Sequence, residues 1–283
     1  MEVRTAVSVP LTAAEAVAHD AHAPLHLVPP PGGRSVTAAS VGGFIPVVVG
    51  SGPTLVDPWS THGLRASTGD GLVGKRVFDV VVATTLLVLL LPLILVVALL
   101  IKLDSRGPVF YRTERAGHRG QPLHMVKFRK MRDDAHGLAL TLSGDSRFTR
   151  LGKWLAKTKI DEIPQLWNVL KGEMSLVGPR PEDHSFVARR LEDYGEILTA
   201  RPGIIGLSQV AFAKESQILD SEDPVAHYVG SILPQKTGLD RLYVRASSVR
   251  MDVRILLWGS VAVLLRRPIA VHRDSGKMNL RRR

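Results

Sequence analysis

Between Val80 and Ile101 the chain carries no charged residue, and no other feature of the sequence restricts its fold as strongly. At ~1.5 Å per residue a continuous helix over this run is about 33 Å long, enough to cross the hydrocarbon core of a bilayer. A helix apolar on every face over such a length seldom belongs to a soluble domain. Two details argue against a simple span. Pro92 sits just past the middle, where it removes a helical hydrogen bond. Both flanks are basic, Lys75 and Arg76 before and Lys102 and Arg106 after, so the cytoplasmic preference of basic flanks applies to both ends. A helix–break–helix that dips into one leaflet and returns satisfies both observations. The alternative is an ordinary kinked transmembrane helix.

Charge is distributed unevenly around this segment. Residues 1–70 hold three basic and five acidic residues, a net of −2, which leaves +13 on residues 71–283 out of a total of +11. The first segment contains Pro29-Pro30-Pro31-Gly32-Gly33, and its one apolar run, Phe44 to Val49, is too short to span a membrane. It reads as a disordered N-terminal extension. The basic remainder calls for an anionic partner. Aromatic residues make up only 5% of the chain, which weakens single-stranded nucleic-acid readings that depend on base stacking, but composition alone does not choose among nucleic acid, anionic lipid and a phosphorylated substrate. The absence of cysteine excludes disulfide scaffolds, thiolate metal sites and thiol catalysis.

Beyond residue 106 the pattern is mixed α/β. Pro108 to Tyr111 and Leu123 to Phe128 read as short strands around the turn Gly117-His118-Arg119-Gly120. Ile163, Leu166, Trp167 and Leu170 recur at helical spacing, which predicts a helix face ended by Gly172. Val253 to Leu265 is a further apolar helix, either of the core or of the membrane interface. The chain ends Arg281-Arg282-Arg283, a basic tail suited to an anionic membrane surface.

Some apparent motifs carry no chemistry. Gly69 to Lys75 spells the start of a phosphate-binding loop, but Arg76 stands where Ser or Thr is needed and no strand precedes it. His118, His124 and His136 have no metal-ligand spacing.

Asp161-Glu162 is a stronger candidate. Both acids open the predicted helix, with Pro164 in its first turn, and carboxylates there often serve only as caps. The functional alternative assigns one acid to attack on phosphorus and the other to a divalent cation. Gly178-Pro179-Arg180-Pro181 stiffens the backbone on both sides of one arginine, so its guanidinium loses little entropy on binding phosphate. Arg201-Pro202-Gly203 forms a second stiff basic loop, and Lys127, Arg129, Lys130 and Arg132 add a basic cluster. Several constrained cations near two acids, behind a membrane segment, suit a phosphate-bearing lipid substrate.

Residues 74–268 resemble the bacterial polyprenyl-phosphate phosphoglycosyl transferases, the initiating sugar-1-phosphate transferases. The likeness rests on Lys75-Arg76-Val77-Phe78-Asp79, Gly107 to Tyr111, Glu114 to Gly117 and Lys127 to Met131. Its most specific stretch runs from Asp161 to Leu170 and then from Met174 to Glu182, followed by Arg201 to Gly206 and by Asp240 to Val244. Ile205 stands where Thr is common, Lys159 where Ser is usual, and Ala211 to Lys214 lacks the usual Gly-Arg.

The resemblance implies a monotopic protein of the bacterial inner membrane, with a small mixed α/β domain on the cytoplasmic face. The implied organisation is an extension over 1–70, a re-entrant helix with flanks over 71–106, a catalytic domain over 107–268 and a basic tail over 269–283. It implies transfer of a sugar-1-phosphate from a nucleotide-diphosphate sugar, a UDP-sugar, to polyprenyl (undecaprenyl) phosphate. Asp161 would be the nucleophile and Glu162 would bind Mg2+. Arg180, with Gly178, Pro179 and Pro181, would hold the nucleotide sugar, alongside the basic groups Lys127, Arg129 and Arg201. Pro92, Lys75 and Arg76 would set the membrane segment. Membrane lipids are implied partners, and a homo-oligomer is allowed. Under the resemblance no nucleic acid is expected; the competing readings are a non-catalytic membrane-anchored adaptor that binds anionic lipid or nucleic acid, and a polyprenyl-linked phosphate hydrolase using the same acids.

Overall fold

The computed structural model describes residues 69–133, 135, 140–142, 144–213, 215, 223–265 and 267–280. The run Phe44 to Val49, His136, Lys214 and Arg281 to Arg283 lie outside them, as does the expected extension apart from its last two residues.

Helix α1 runs from Gly69 to Asp104 without interruption, and Pro92 lies inside it. Helical backbone therefore continues through Pro92, so a change of direction there is a bend within one helix and not a non-helical gap. Proline forfeits one backbone hydrogen bond and crowds the carbonyl four residues earlier, which makes this position the place where such a helix bends. Among the described residues it is the one helix long and apolar enough to cross a membrane. Both of its ends nonetheless pack on the same domain. Phe78, Val82, Ala83 and Leu87 join a core that includes Leu166, Val169 and Leu176. Further along, Leu93, Ile94, Val97, Ala98 and Ile101 pack with Phe128, Leu151, Leu155 and Ile160. At about 1.5–3 kcal/mol per fully buried aliphatic side chain, these contacts fix both halves of α1. The opposite face is apolar and open, with Val81, Val88, Leu89, Leu95 and Leu99 all more than half exposed.

Strands β1 (Phe110–Ala116) and β2 (Pro122–Phe128) form an antiparallel hairpin across a 3-10 turn, His118–Gly120; β2 matches the expected strand, whereas β1 begins at Phe110 and continues past the expected end at Tyr111 to Ala116. In β2 the two-residue period puts Leu123, Met125 and Lys127 on the buried face. Helix α2 (Arg150–Thr158) is capped by Thr149, whose hydroxyl accepts from Gly152 N. It leads through a 3-10 turn, Ile160–Glu162, into α3 (Gln165–Lys171), which ends at the left-handed Gly172. Trp167 departs from the predicted face: it is 56% exposed, while Gln165, Leu166, Asn168 and Val169 are buried. The helix is short and its 3-10 entry rotates the buried side, so extrapolating a 3.6 period back to Ile163 misplaces Trp167.

Strand β3 (Ser175–Val177) is followed by α4 (His184–Val187), α5 (Leu191–Ile197) and β4 (Gly203–Ile205), which pairs with β3 in parallel. Helices α6 (Leu207–Ala211), α7 (Pro224–His227), α8 (Leu233–Ala246) and α9 (Val249–Leu264) complete the helical layer. Of the two alternatives for α9, core packing is present, since Asp252 and Ile255 are fully buried; Leu257, 63% exposed, lies on its open face. The expected basic tail is in part structured. Strands β5 (Ile269–Val271) and β6 (Met278–Leu280) pair as a hairpin, and buried Ile269 and Met278 join the principal core.

Candidate active site

The two acids lie not in the first turn of α3 but in the 3-10 turn before it, because Pro164 occupies the α3 N-cap and has no N–H to extend the helix backward. Asp161 is 1% exposed and Glu162 is 9% exposed. Two local devices register this turn against β2. Asn168 of α3 accepts from Val126 N through Oδ1 at 3.1 Å and donates from Nδ2 to His124 O at 2.9 Å. Lys127, next along β2, then reaches Glu162 Oε1 at 3.3 Å.

Arg180 completes the same cluster, with Nη2 2.9 Å from Glu162 Oε1. Its position follows from the two stiff loops, which the fold brings against each other. Gly178 N donates to Ile205 O, and Gly203 N donates to Pro179 O at 2.8 Å. The backbones approach so closely that a Cβ on Gly203 would overlap the Gly178 backbone. Pro179 and Pro181 are buried, the Arg180 side chain is 27% exposed, and Arg201 points to solvent.

Lys130 serves the other acid. Its Nζ lies 2.9 Å from Asp161 Oδ2 without the alignment of a hydrogen bond, and neither Asp161 oxygen has a hydrogen-bond partner. The Lys130 backbone is fixed by the start of α2: Thr149 N donates to Lys130 O, and a Cβ on Gly152 would collide with that carbonyl. A buried carboxylate with a cation beside it and free lone pairs is an available nucleophile.

The electrostatics separate the two acids. Burial opposes ionisation of Glu162, but the Arg180 and Lys127 charges prevail and hold its carboxyl well below the usual range. Burial pushes Lys127 down to about 8, with Glu162 opposing and Arg180 and Lys130 adding to the fall. Glu162 in turn raises Arg180 above its ordinary value.

Not every expected residue joins the site. Arg129 is 4% exposed and donates to Ser105 O at 2.8 Å and to Arg106 O. Its guanidinium thus ties β2 to the end of α1, a correction to the expected phosphate contact. Lys75 and Arg76 have protein partners as well: Lys75 pairs with Asp252, and Arg76 donates to Val169 O and Leu170 O at the end of α3. The side chain of Ile205 rests on Gly259 of α9, so it packs the core. Gln165 was not anticipated. It is 1% exposed, both of its amide atoms lack partners, and it falls one helical turn beyond Asp161. It lies inside the family-like stretch Asp161 to Leu170, but nothing local singled it out there, because a glutamine beside a helix start is ordinary.

Among the described residues no three His, Asp or Glu side chains converge as a metal cage. Glu162 does fit the sparse arrangement typical of Mg2+, in which one or two carboxylates hold the ion and substrate phosphates and water supply the rest. Lys127 and Arg180 both engage its Oε1, which leaves Oε2 as the donor in favour of that fit.

The bacterial sugar transferase profile matches residues 71–266, a span that contains the whole cluster. The chain belongs to that family. Its relatives include a UDP-glucose:undecaprenyl-phosphate glucose-1-phosphate transferase of Caulobacter vibrioides, 39% identical over 188 residues, 65% of this chain and 67% of that protein. A UDP-N-acetylgalactosamine-undecaprenyl-phosphate N-acetylgalactosaminephosphotransferase of Aeromonas hydrophila is 37% identical over 187 residues, 64% of this chain but 41% of that protein. An exopolysaccharide production protein of Rhizobium leguminosarum is 37% identical over 206 residues, covering 69% of this chain and 97% of the relative. The sugar transferase region here thus spans well under half of some longer relatives, such as the one from Komagataeibacter xylinus, of which 35% is covered.

Proposed function

We propose that this sugar transferase moves a sugar-1-phosphate from a UDP-sugar to undecaprenyl phosphate through a covalent intermediate on Asp161. The observation that carries the reading is the pairing of unequal acids: Asp161 buried with unbonded oxygens beside Lys130, and Glu162 held by Lys127 and Arg180. The names of the relatives, which specify undecaprenyl phosphate and two different UDP-sugars, support the substrate class.

In the first half-reaction an Asp161 oxygen attacks the phosphorus bearing the sugar. The bond from that phosphorus to the bridging oxygen breaks, and its electron pair leaves with UMP. In the second, an oxygen of polyprenyl phosphate attacks the same phosphorus and the Asp161 carboxylate departs. Splitting one transfer in two lets each acceptor be aligned separately. Lys127 and Arg180, already drawn together by Glu162, face the developing phosphate charge with no reorganisation needed. Glu162 would hold Mg2+, which when bound neutralises charge on the diphosphate and leaving group.

The membrane reading follows the packing of α1. A straight span would carry the two ends of α1 to opposite faces of the bilayer, whereas both halves pack on one domain. We therefore favour a monotopic, re-entrant arrangement in the inner membrane with the domain on the cytoplasmic side, where the nucleotide sugar is.

The reading is tested by incubating the purified protein with a panel of UDP-sugars, Mg2+ and undecaprenyl phosphate. Release of UMP that depends on the lipid, with label in a lipid diphosphate product, is expected. An adaptor would release nothing. A hydrolase would release inorganic phosphate or free sugar phosphate and form no lipid-linked sugar.

A further inference from the structure

The first turns of α1 reach the elements that carry both halves of the site. Asp79, 2% exposed, accepts from Ser175 Oγ at 2.8 Å and from Leu176 N at 3.2 Å. Lys75 Nζ donates to Val177 O at 3.1 Å and to Asp252 Oδ2 at 2.5 Å. Tyr243 of α8, 1% exposed, donates to the same Val177 carbonyl at 2.9 Å and lies 2.7 Å from Asp252 Oδ1. The segment Ser175–Val177 is therefore held from α1 and α8, whose Lys75 and Tyr243 are braced by Asp252 of α9, and it runs directly into Gly178-Pro179-Arg180. Proline at 179 leaves little backbone freedom between the held carbonyl and the guanidinium.

We propose that Lys75, Asp79 and Tyr243 are positioning residues for Arg180, so that docking of the membrane helix sets the guanidinium that binds the nucleotide diphosphate. The inference builds on the role given to Arg180 above. Buried charged groups at a helix–strand contact are costly unless paired. Here buried Asp79 and Asp252 are paired, and Lys75, Asp79 and Tyr243 all bond the one strand that ends in the substrate loop. Ordinary core packing would hold β3 with apolar side chains alone, as Val169, Leu176 and Leu207 already do. The polar clamp adds what apolar contact lacks, a fixed register along the strand.

The test uses the full chain in lipid nanodiscs, with UDP as the binding probe and both substrates in steady-state assays. Tyr243→Phe and Asp79→Asn are close to isosteric, and thermal melting reports whether each remains folded. Each should weaken UDP binding and raise the UDP-sugar KM by about 5–10-fold, while the KM for undecaprenyl phosphate changes less than about twofold. In an Arg180→Ala background, adding Tyr243→Phe should change UDP binding by less than about twofold, because the group it positions is gone. Tyr243→Phe acting at full strength in that background would overturn the proposal, as would a lowered melting temperature with unchanged UDP binding. Should Arg180→Ala alone bind UDP like the wild type, the reading of Arg180 is the part at fault and the positioning role falls with it.

Discussion

Lys130 stands 2.9 Å from Asp161 Oδ2, yet that carboxylate, 1% exposed, accepts no hydrogen bond from any group around it. The cation stands beside a buried acid without saturating its lone pairs, an arrangement that suits a nucleophile and would be wasteful in a cap. The neighbouring Glu162 has the opposite character, with one oxygen engaged by both Lys127 and Arg180.

Lys130 thus becomes the residue whose removal should damage chemistry more than fold. Lys130→Met is expected to lower kcat by about 10²-fold, as for loss of one preorganised electrostatic partner, and Lys130→Arg should retain part of the activity. Single-turnover release of UMP measures the step concerned. Unchanged release in Lys130→Met would remove Lys130 from the mechanism.

The depressed titration of Lys127 gives a pH dependence. The folded group loses its proton near pH 8, below the value of about 10.4 for an unfolded lysine. In that interval the unfolded chain binds more protons, so stability rises with pH while the charge available to phosphate falls. kcat/KM for the UDP-sugar should therefore decline above about pH 8, and Lys127→Arg should move that decline to higher pH. A pH–rate profile of both proteins checks it, and an identical alkaline limb in the two would contradict the assignment.

Glu162→Gln removes the charge that Lys127 and Arg180 share. Activity should fall by about 10²–10³-fold, with partial recovery as Mg2+ is raised. A magnesium titration of the variant reads this directly. Failure of any concentration to restore activity would leave Glu162 as an organiser of the two cations alone.

The packing of α1 predicts topology. Residues 71–76 and 102–110 should lie on the same, cytoplasmic, side. The chain contains no cysteine, so single cysteines in each flank can be probed cleanly with an impermeant thiol reagent. Labelling of either flank from outside intact cells would contradict the re-entrant reading. Pro92→Ala strengthens the helix at the position where it must bend or tilt to return, and should shift the balance toward spanning.

Much of this arrangement was legible in the residues. The uncharged run, the hairpin, Asp161-Glu162 and both proline-stiffened loops could be read from composition and spacing, because each expresses a local rule. Choice of partner could not. Of four cations between Lys127 and Arg132, Lys127 faces Glu162 because it continues the buried row of Leu123 and Met125. Lys130 faces Asp161 only because α2 folds back over its carbonyl, and Arg129 is taken by the carbonyls at the end of α1. Lys75 and Arg76 read as basic flanks of the membrane segment, yet their hydrogen-bond partners lie 93 to 177 positions away in sequence. Such pairings are set by tertiary packing, which no local period records.

The account stands or falls on the covalent step. Wild-type protein should be incubated with UDP-sugar labelled in the sugar and with Mg2+, in the absence of polyprenyl phosphate, then digested and analysed by mass spectrometry. The account predicts release of UMP without lipid, up to one per protein, and a phosphosugar adduct on Asp161 that is lost on adding undecaprenyl phosphate and absent from Asp161→Asn. No adduct, UMP release only when lipid is present, and full turnover by an Asp161→Asn protein verified as undeamidated would together contradict it.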